Sequence, residues 1–170
     1  FEVSDSGSGI KKIEYLVPNS STWATYDNKK IISSTSTNGI YKFRATDNAG
    51  NVSSVMQISL DTVAPTITIN NTSGTRITAQ YINYSFCCYA ADANSGIKKI
   101  EYMPAGTSSW VEYSNNSTID GNGTNGVYKF RATDNAGNVA SVVSITLDTV
   151  KPTCNLFSNS GSVSNGGRTK

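Results

Sequence analysis

Acidic and amide side chains recur at the turns of this sequence, and they are the residues best suited to bind a metal ion. Five of them end or follow predicted strands: Asp61, Asp92, Asp134, Asn135 and Asn138. Carboxylate, amide and backbone carbonyl oxygens are the ligands that Ca²⁺ prefers. The alternative is that each side chain accepts hydrogen bonds from its own turn. No spacing here matches a complete Ca²⁺-binding loop, so both interpretations stay open.

Two Trp–Tyr pairs form a second group of candidate binding residues. Trp23 precedes Tyr26 by three residues, and Trp110 precedes Tyr113 by the same spacing. Exposed rings of this kind would offer a flat surface on which a sugar could stack. Aromatic residues in small β domains more often pack in the core, and we favour that interpretation.

Three cysteines, Cys87, Cys88 and Cys154, leave at least one thiol unpaired in any intramolecular arrangement. Adjacent residues of a strand point to opposite faces, so a bond between Cys87 and Cys88 would be strained. We expect Cys88 to be a buried thiol and Cys87 to point outward. Cys87 or Cys154 could then crosslink two chains.

Several classes of function are excluded by composition. The chain contains no histidine, which removes Ser/His and Cys/His dyads and imidazole zinc sites. The net charge is only +2 and no basic patch is visible, so nucleic-acid binding is not expected. No apolar run is long enough to span a membrane. We therefore predict that the protein is not an enzyme and that it carries no cofactor other than Ca²⁺ at the turns described above.

A self-comparison of the sequence shows that most of these residues occur twice. Positions 1–83 align with 88–170 without a gap, at an offset of 87 residues, and 40 of the 83 aligned residues are identical. With the strings DTVAP and DTVKP as junctions, we predict three units. They are repeat 1 (1–63), which lacks its first strands, repeat 2 (64–150), which is complete, and the opening strand of a third repeat (151–170). We expect the chain to be a piece of a longer array.

Repeat 2 predicts six or seven short strands in which apolar and polar residues alternate. The principal strands are expected at 65–70, 80–91, 97–103, 127–134 and 139–147, with a short strand near Trp110. Within 80–91, Tyr84 is expected on the inward face with Phe86 and Cys88. The remaining inward residues form the predicted core: Ile100, Tyr102, Tyr128 and Phe130, with Tyr41 and Phe43 as their counterparts in repeat 1.

This pattern fits two antiparallel sheets packed face to face. The predicted fold class is therefore all-β, in the form of tandem immunoglobulin-like β-sandwich repeats of 87 residues. In that topology the chain enters each unit beside the loops that follow its second and sixth strands. Asp61 is therefore expected to lie near Asp92 and the turn at Asp134.

The strings SGIKKIEY, RATDNAGN and DTVKP resemble the bacterial immunoglobulin-like repeats of large secreted or surface-anchored proteins. The resemblance covers nearly the whole chain. It implies stalks, adhesins and accessory modules, and it implies no catalytic residue. It also implies an extracellular location, at the cell surface or in a secreted protein.

The function expected from the repeats is mechanical, because an array of such units builds a stalk, spacer or filament whose length scales with copy number. The alternative is an adhesin that binds a host glycan or protein through the variable loops at 18–36 and 105–123. The expected partners are neighbouring repeats of the same chain or protein, joined head to tail or by strand addition. In the latter case, residues 152–157 would supply a strand to repeat 1 of another molecule.

Overall fold

β-Strands and turns make up the part of the chain that the computed structural model describes, residues 2–27, 31–33, 35–155, 157–158 and 161–162. The described residues form no helix. None of them therefore belongs to a helix that could cross a membrane. The protein is all-β, with its strands arranged in several sheets.

Repeat 1 contributes one four-stranded antiparallel sheet. Its strands are β1 (Ile10–Leu16), β2 (Ala24–Thr25), β3 (Gly39–Asp47) and β4 (Met56–Leu60), in the order β2-β1-β3-β4. β1 pairs with β3 over its whole length, with one irregularity between Ile10 and Lys12.

Repeat 2 contributes two sheets. Its strands are β5 (Thr66–Asn71), β6 (Tyr81–Ile82), β7 (Phe86–Ala91), β8 (Ile97–Met103), β9 (Val111–Glu112), β10 (Thr118–Ile119), β11 (Gly126–Asp134) and β12 (Val143–Leu147). One sheet has the order β10-β7-β5 and the other the order β6-β12-β11-β8-β9. All pairs are antiparallel except β6 with β12, which is parallel. Beyond repeat 2, β13 (Phe157–Ser158) and β14 (Gly161–Ser162) form a short hairpin.

The strands of repeat 1 recur in repeat 2 at the offset seen in the sequence. β1, β2, β3 and β4 correspond in length and position to β8, β9, β11 and β12, each 87 residues later. A buried tyrosine near the start of the longest strand anchors the preceding loop in both. The Tyr128 hydroxyl donates to the Thr124 carbonyl at 2.9 Å, and the Tyr41 hydroxyl donates to the Thr37 carbonyl at 2.8 Å. A tyrosine that bonds back to the upstream backbone is typical of immunoglobulin-like sandwiches.

The core of repeat 2 lies between its two sheets. Phe86 from the three-stranded sheet packs edge-on against Phe130 and Tyr128 from the five-stranded sheet, with ring centroids 6.3 and 5.5 Å apart. Phe86, Phe130 and Leu147 are completely buried, and Ile100 and Tyr128 nearly so. Tyr102 is half-buried and stacks on Phe130 at 6.0 Å. In repeat 1, Tyr41 and Phe43 are buried together with Tyr15.

The prediction of one continuous strand over 80–91 was wrong. Tyr81–Ile82 joins β12 of the five-stranded sheet, whereas Phe86–Ala91 joins β5 of the other sheet. The chain crosses between the two layers over the intervening residues, and Tyr84 is therefore 45% exposed instead of inward. Gly121 fixes this crossing, because its amide donates to the Ser85 hydroxyl at 2.8 Å. A Cβ atom on Gly121 would approach the Ser85 amide nitrogen to 2.7 Å, so only glycine fits.

Candidate metal centre

Three aspartates from three separate segments meet at the end of repeat 2 that receives the linker. Asp61 directly follows β4, Asp92 directly follows β7, and Asp134 is the last residue of β11. One carboxylate oxygen from each lies within 4.8 Å of the other two. Asp134 is completely buried, Asp61 is 7% exposed, and Asp92 is half-buried. The structure thus brings together the three carboxylates singled out in the sequence.

Each carboxylate also closes its own turn. Asp92 Oδ1 accepts hydrogen bonds from the backbone amides of residues 94–96 at 2.9 to 3.1 Å. Asp134 Oδ1 accepts one from the Asn138 amide at 2.8 Å, and Asp61 Oδ1 accepts one from the Val63 amide at 3.0 Å. These hydrogen bonds within the turns are compatible with a metal ion shared by the three carboxylates. They orient the carboxylates but do not use all of the lone pairs on their oxygens.

Asp61 belongs to the linker by sequence but is bonded into repeat 2. Its Oδ2 accepts hydrogen bonds from the Ser95 amide at 3.1 Å and from the Ser95 hydroxyl at 2.5 Å. Its backbone carbonyl accepts one from the Asn138 side chain at 3.1 Å. The Ser95 hydroxyl is the main reason that the pKa of Asp61 lies below its ordinary value. Three hydrogen-bonding groups of repeat 2 thus hold Asp61: the Ser95 amide, the Ser95 hydroxyl and the Asn138 side-chain nitrogen.

Ser95 was missed in the sequence, although a signal was present. In the stretch 1–8, only Asp5 and Ser8 are identical to their counterparts, which are Asp92 and Ser95. A serine that is retained beside a retained aspartate, among otherwise different residues, indicates a shared local role.

Asn135 and Asn138 turn their amide nitrogens toward acceptors. Asn135 Nδ2 donates to the Ser95 carbonyl at 2.8 Å, and Asn138 Nδ2 donates to Asp134 Oδ2 at 2.8 Å. These orientations follow from the hydrogen-bond network, since each nitrogen faces oxygen atoms. In this arrangement the two asparagines position the loops, and the oxygens available to a cation come from the three aspartates.

Repeat 1 carries the same motif and provides an internal comparison. Asp5 and Asp47 are the counterparts of Asp92 and Asp134, and Asp47 accepts two hydrogen bonds from Asn51 at 2.7 Å. Asp5 is exposed and Asp47 is only half-buried, whereas Asp134 is completely buried. The described part of repeat 1 has no linker aspartate at this place. The centre in repeat 2 is bordered both by the docked linker and by the three-stranded sheet, and the described part of repeat 1 has neither.

Trp110 and Tyr113 lie on opposite sides of the five-stranded sheet. The guanidinium carbon of Arg131 lies 4.4 Å from the centroid of the Trp110 ring, on the outer face. Tyr113 is 7% exposed, and its ring packs edge-on against Phe130 at 5.3 Å. The two rings therefore do not form one exposed surface.

Trp23 and Tyr26 repeat this arrangement in repeat 1. The guanidinium carbon of Arg44 lies 4.3 Å from the centroid of the Trp23 ring. Tyr26 is half-buried and packs edge-on against Phe43 at 5.5 Å and against Tyr15 at 5.6 Å. The tryptophans thus lie beneath arginines while the tyrosines join the cores.

The three cysteines are free thiols. Cys88 is completely buried, and its burial raises its pKa to about 12. Cys87 is also buried, at 4% exposure, because the loop that contains Asn116 covers the outer side of β7. The Cys87 sulfur lies 3.2 Å from Asn116 Oδ1. Cys154 is exposed, so it is the cysteine that a reagent or a second chain can reach.

Comparison with known proteins gives only weak likeness, and only to solved structures. No family model and no curated protein matches the chain. A solved structure of fibronectin(III)-like modules of Clostridium thermocellum CbhA is similar over 85% of this chain and 80% of that chain, with 15% sequence identity and a TM-score of 0.35. At that level of similarity, the assignment of the fold rests on the sheets and the core described above.

Proposed function

We propose that the chain is a non-catalytic structural module of a secreted or cell-surface protein. In this proposal, immunoglobulin-like units of 87 residues follow one another and act as a stalk, spacer or filament building block. The observation that carries the proposal is the position of Asp61. It follows the last strand of one unit and is bonded to Ser95 and Asn138 of the next. Two units joined in this way are held by side chains as well as by the peptide, which suits a spacer.

Calcium at this junction is part of the proposal. Three carboxylates whose oxygens lie within 4.8 Å of one another bring like charges close together, and like charges repel. A divalent cation would remove the repulsion, and hard oxygen ligands suit Ca²⁺. Asp92 follows a strand of one sheet and Asp134 ends a strand of the other, so an ion held by both and by Asp61 would tie the linker to both layers of repeat 2.

Thermal unfolding of the full chain with Ca²⁺ or with a chelator tests the ion. At a concentration a hundred times the dissociation constant, a ligand that binds only the folded state stabilises it by about 2.7 kcal/mol. We expect Asp61→Asn to abolish the Ca²⁺-dependent shift. Asp148→Asn is the matched control, because Asp148 closes the same turn to the Val150 amide at 3.0 Å but is exposed. A wild-type chain whose unfolding ignores Ca²⁺ would remove the metal from the proposal.

The mechanical role is tested separately, by the relative motion of the two units. Spin labels or fluorophores placed on the outer strands of each repeat report the distribution of distances between them. We expect a narrow distribution for the full chain and a broad one for Asp61→Ala, with Asp148→Ala unchanged. A broad distribution in the unaltered chain would mean that the junction is a flexible linker, which contradicts a spacer of fixed geometry.

Binding of a host glycan or protein through the loops at 18–36 and 105–123 is the alternative function. It would need an exposed aromatic or polar patch. Tyr26 and Tyr113 pack toward the cores, and each tryptophan has an arginine on its ring. These contacts favour the structural function over the binding function.

A further inference from the structure

The two residues that follow β4 bond to different units. The Asp61 carboxylate accepts hydrogen bonds from the amide and the hydroxyl of Ser95 in repeat 2. The Thr62 hydroxyl instead donates to Asn38 Oδ1 of repeat 1 at 3.1 Å. One dipeptide is therefore bonded both to the unit that the chain leaves and to the unit that it enters.

The contact between Thr62 and Asn38 has a second copy in repeat 2. Thr149 and Asn125 are their counterparts at the offset of 87 residues. Asn125 Oδ1 accepts hydrogen bonds from the Thr149 amide at 3.2 Å and from the Thr149 hydroxyl at 3.0 Å. Threonine and asparagine belong to the same unit in both copies, so this half of the joint is formed by one unit alone.

The ends of β3 and β4 hold Asn38 within reach of Thr62. Gly39, the first residue of β3, pairs with Leu60, the last residue of β4. The contact of Thr62 with Asn38 therefore continues this pairing beyond the two strands. Gly39 has a φ of 132°, and a Cβ atom there would approach Pro18 Cβ to 2.7 Å, so the position requires glycine. The backbone beside Asn38 is thus fixed by the packing of repeat 1 itself.

The rest of the linker is constrained from the side of repeat 2. The Val63 amide donates to Asp61 Oδ1 at 3.0 Å, which closes the turn that carries the docked carboxylate. Pro65 is buried, and a proline restricts the residue before it, here Ala64, to extended backbone. Repeat 2 thus fixes the linker from Asp61 onward, and the backbone between Leu60 and Asp61 is the place where the two units could still turn against each other.

We propose that Thr62 and Asn38 are positioning residues of the junction, which aim the Asp61 carboxylate at repeat 2 and fix the angle between the two units. Docking of Asp61 alone would leave repeat 1 free to pivot about the backbone torsions that follow Leu60. The bond from Thr62 to Asn38 opposes this rotation, because it closes a ring with the paired ends of β3 and β4. This inference rests on the proposed function, in which the junction has a fixed geometry, and it names the contact that fixes it.

The test measures the distance between the two repeats in the full chain. Spin labels are attached through cysteines that replace Ile40 and Val127, which are counterparts on β3 and β11 and are 51% and 46% exposed. Cys154 is replaced by Ser to remove the exposed native thiol, whereas Cys87 and Cys88 are buried. The distribution of distances between the labels then reports how far the units turn against each other.

Thr62→Val removes the hydroxyl and keeps a side chain of similar volume. We expect it to raise the fraction of molecules outside the main distance peak by about fivefold, the factor that corresponds to one hydrogen bond of ordinary net strength. Thr149→Val is the matched control, because its bond to Asn125 lies beyond the joint between the two repeats, and it should leave the distribution unchanged. Thr62→Ser keeps the hydroxyl and should preserve the narrow distribution.

The double variant Asn38→Ala/Thr62→Val tests whether the two residues act through each other. Because both substitutions remove the same bond, we expect the double variant to be no broader than Thr62→Val alone. Thr62 is exposed and Asn38 is half-buried, so the variants should fold, and their thermal unfolding verifies this.

Two results would overturn the inference and leave the proposed function standing. The first is a narrow distribution that Thr62→Val broadens no more than Thr149→Val does. The second is a double variant in which the effects of Asn38→Ala and Thr62→Val add. A broad distribution in the chain without these substitutions would overturn both the inference and the fixed geometry on which it rests.

Discussion

Replacement of Tyr113 by Phe separates the packing of this residue from its hydrogen bonds. The ring lies in the core of repeat 2, and its hydroxyl accepts a hydrogen bond from the Cys88 amide at 2.9 Å. The hydroxyl also donates to the Ser117 carbonyl. Phe fills the same ring volume, so the substitution removes only these two bonds.

The two lost bonds differ in their consequences. Ser117 is exposed, and water can satisfy its carbonyl after the substitution. Cys88 is completely buried, so its amide would lose its acceptor where water does not reach. A buried donor without a partner costs about 1–3 kcal/mol. We therefore expect Tyr113→Phe to lower the free energy of unfolding of repeat 2 by about 2 kcal/mol.

Denaturant unfolding followed by tryptophan fluorescence measures this change. A Trp23→Phe background leaves Trp110 as the only tryptophan, so the signal reports repeat 2. Tyr128→Phe is the matched control, because the Tyr128 ring is buried but its hydroxyl donates only to the carbonyl of exposed Thr124. We expect that control to cost about 1 kcal/mol or less. Equal effects of the two substitutions, or no effect of Tyr113→Phe, would refute the role assigned to the Cys88 amide.

Three further outcomes follow from the titratable groups. Burial raises the pKa of Tyr113 and of Cys88 to about 12, so these groups lose their protons at a lower pH in the unfolded chain than in the folded chain. Their contribution to stability should be complete below about pH 9 and should fall toward pH 12. Denaturation midpoints measured at pH 8 and at pH 11 check this. The lowered pKa of Asp61 gives the opposite dependence. Its contribution to stability is present above about pH 4 and is lost as the pH falls through the folded-state pKa. Asp61→Asn should therefore reduce the loss of stability between about pH 4 and more acidic pH. A thiol reagent should label Cys154 in the native chain and should reach Cys87 and Cys88 only with denaturant, so native labelling at more than one site would contradict the burial of β7.

Alternation and the internal repeat made much of the fold predictable. In the longest strand of each repeat, tyrosine and phenylalanine two residues apart were expected to face inward, and Tyr128 and Phe130 are buried. The repeat also indicated which aspartates share a role. Because strand direction and the end-to-end order of the units place the linker beside two turns, Asp61 was expected near Asp92, and their carboxylates meet.

The features that could not be predicted depend on contacts between distant segments. Cys87 lies on the outward face of its strand, as alternation requires, but the loop at Asn116 covers it. Tyr84 fits the inward pattern, yet the chain changes sheets there because the backbone of Gly121 lies against it. Glu101 pairs with Arg131 across the sheet at 2.8 Å, and its second partner is Lys99 on its own strand. Local pattern decides which face a residue takes, whereas the tertiary neighbours decide what covers that face.

The turn at Asp148 has a consequence for the shape of any longer assembly. It already has the geometry of the turn at Asp61, with the same hydrogen bond to the residue two positions later at 3.0 Å in both. If each successive unit accepts that turn as repeat 2 does, every step along the array applies the same rotation and the same translation. Identical steps of this kind generate a helix. An array built in this way would wind with a constant pitch. The faces of its units would then point outward at regular angular intervals, which a few atoms at each joint determine.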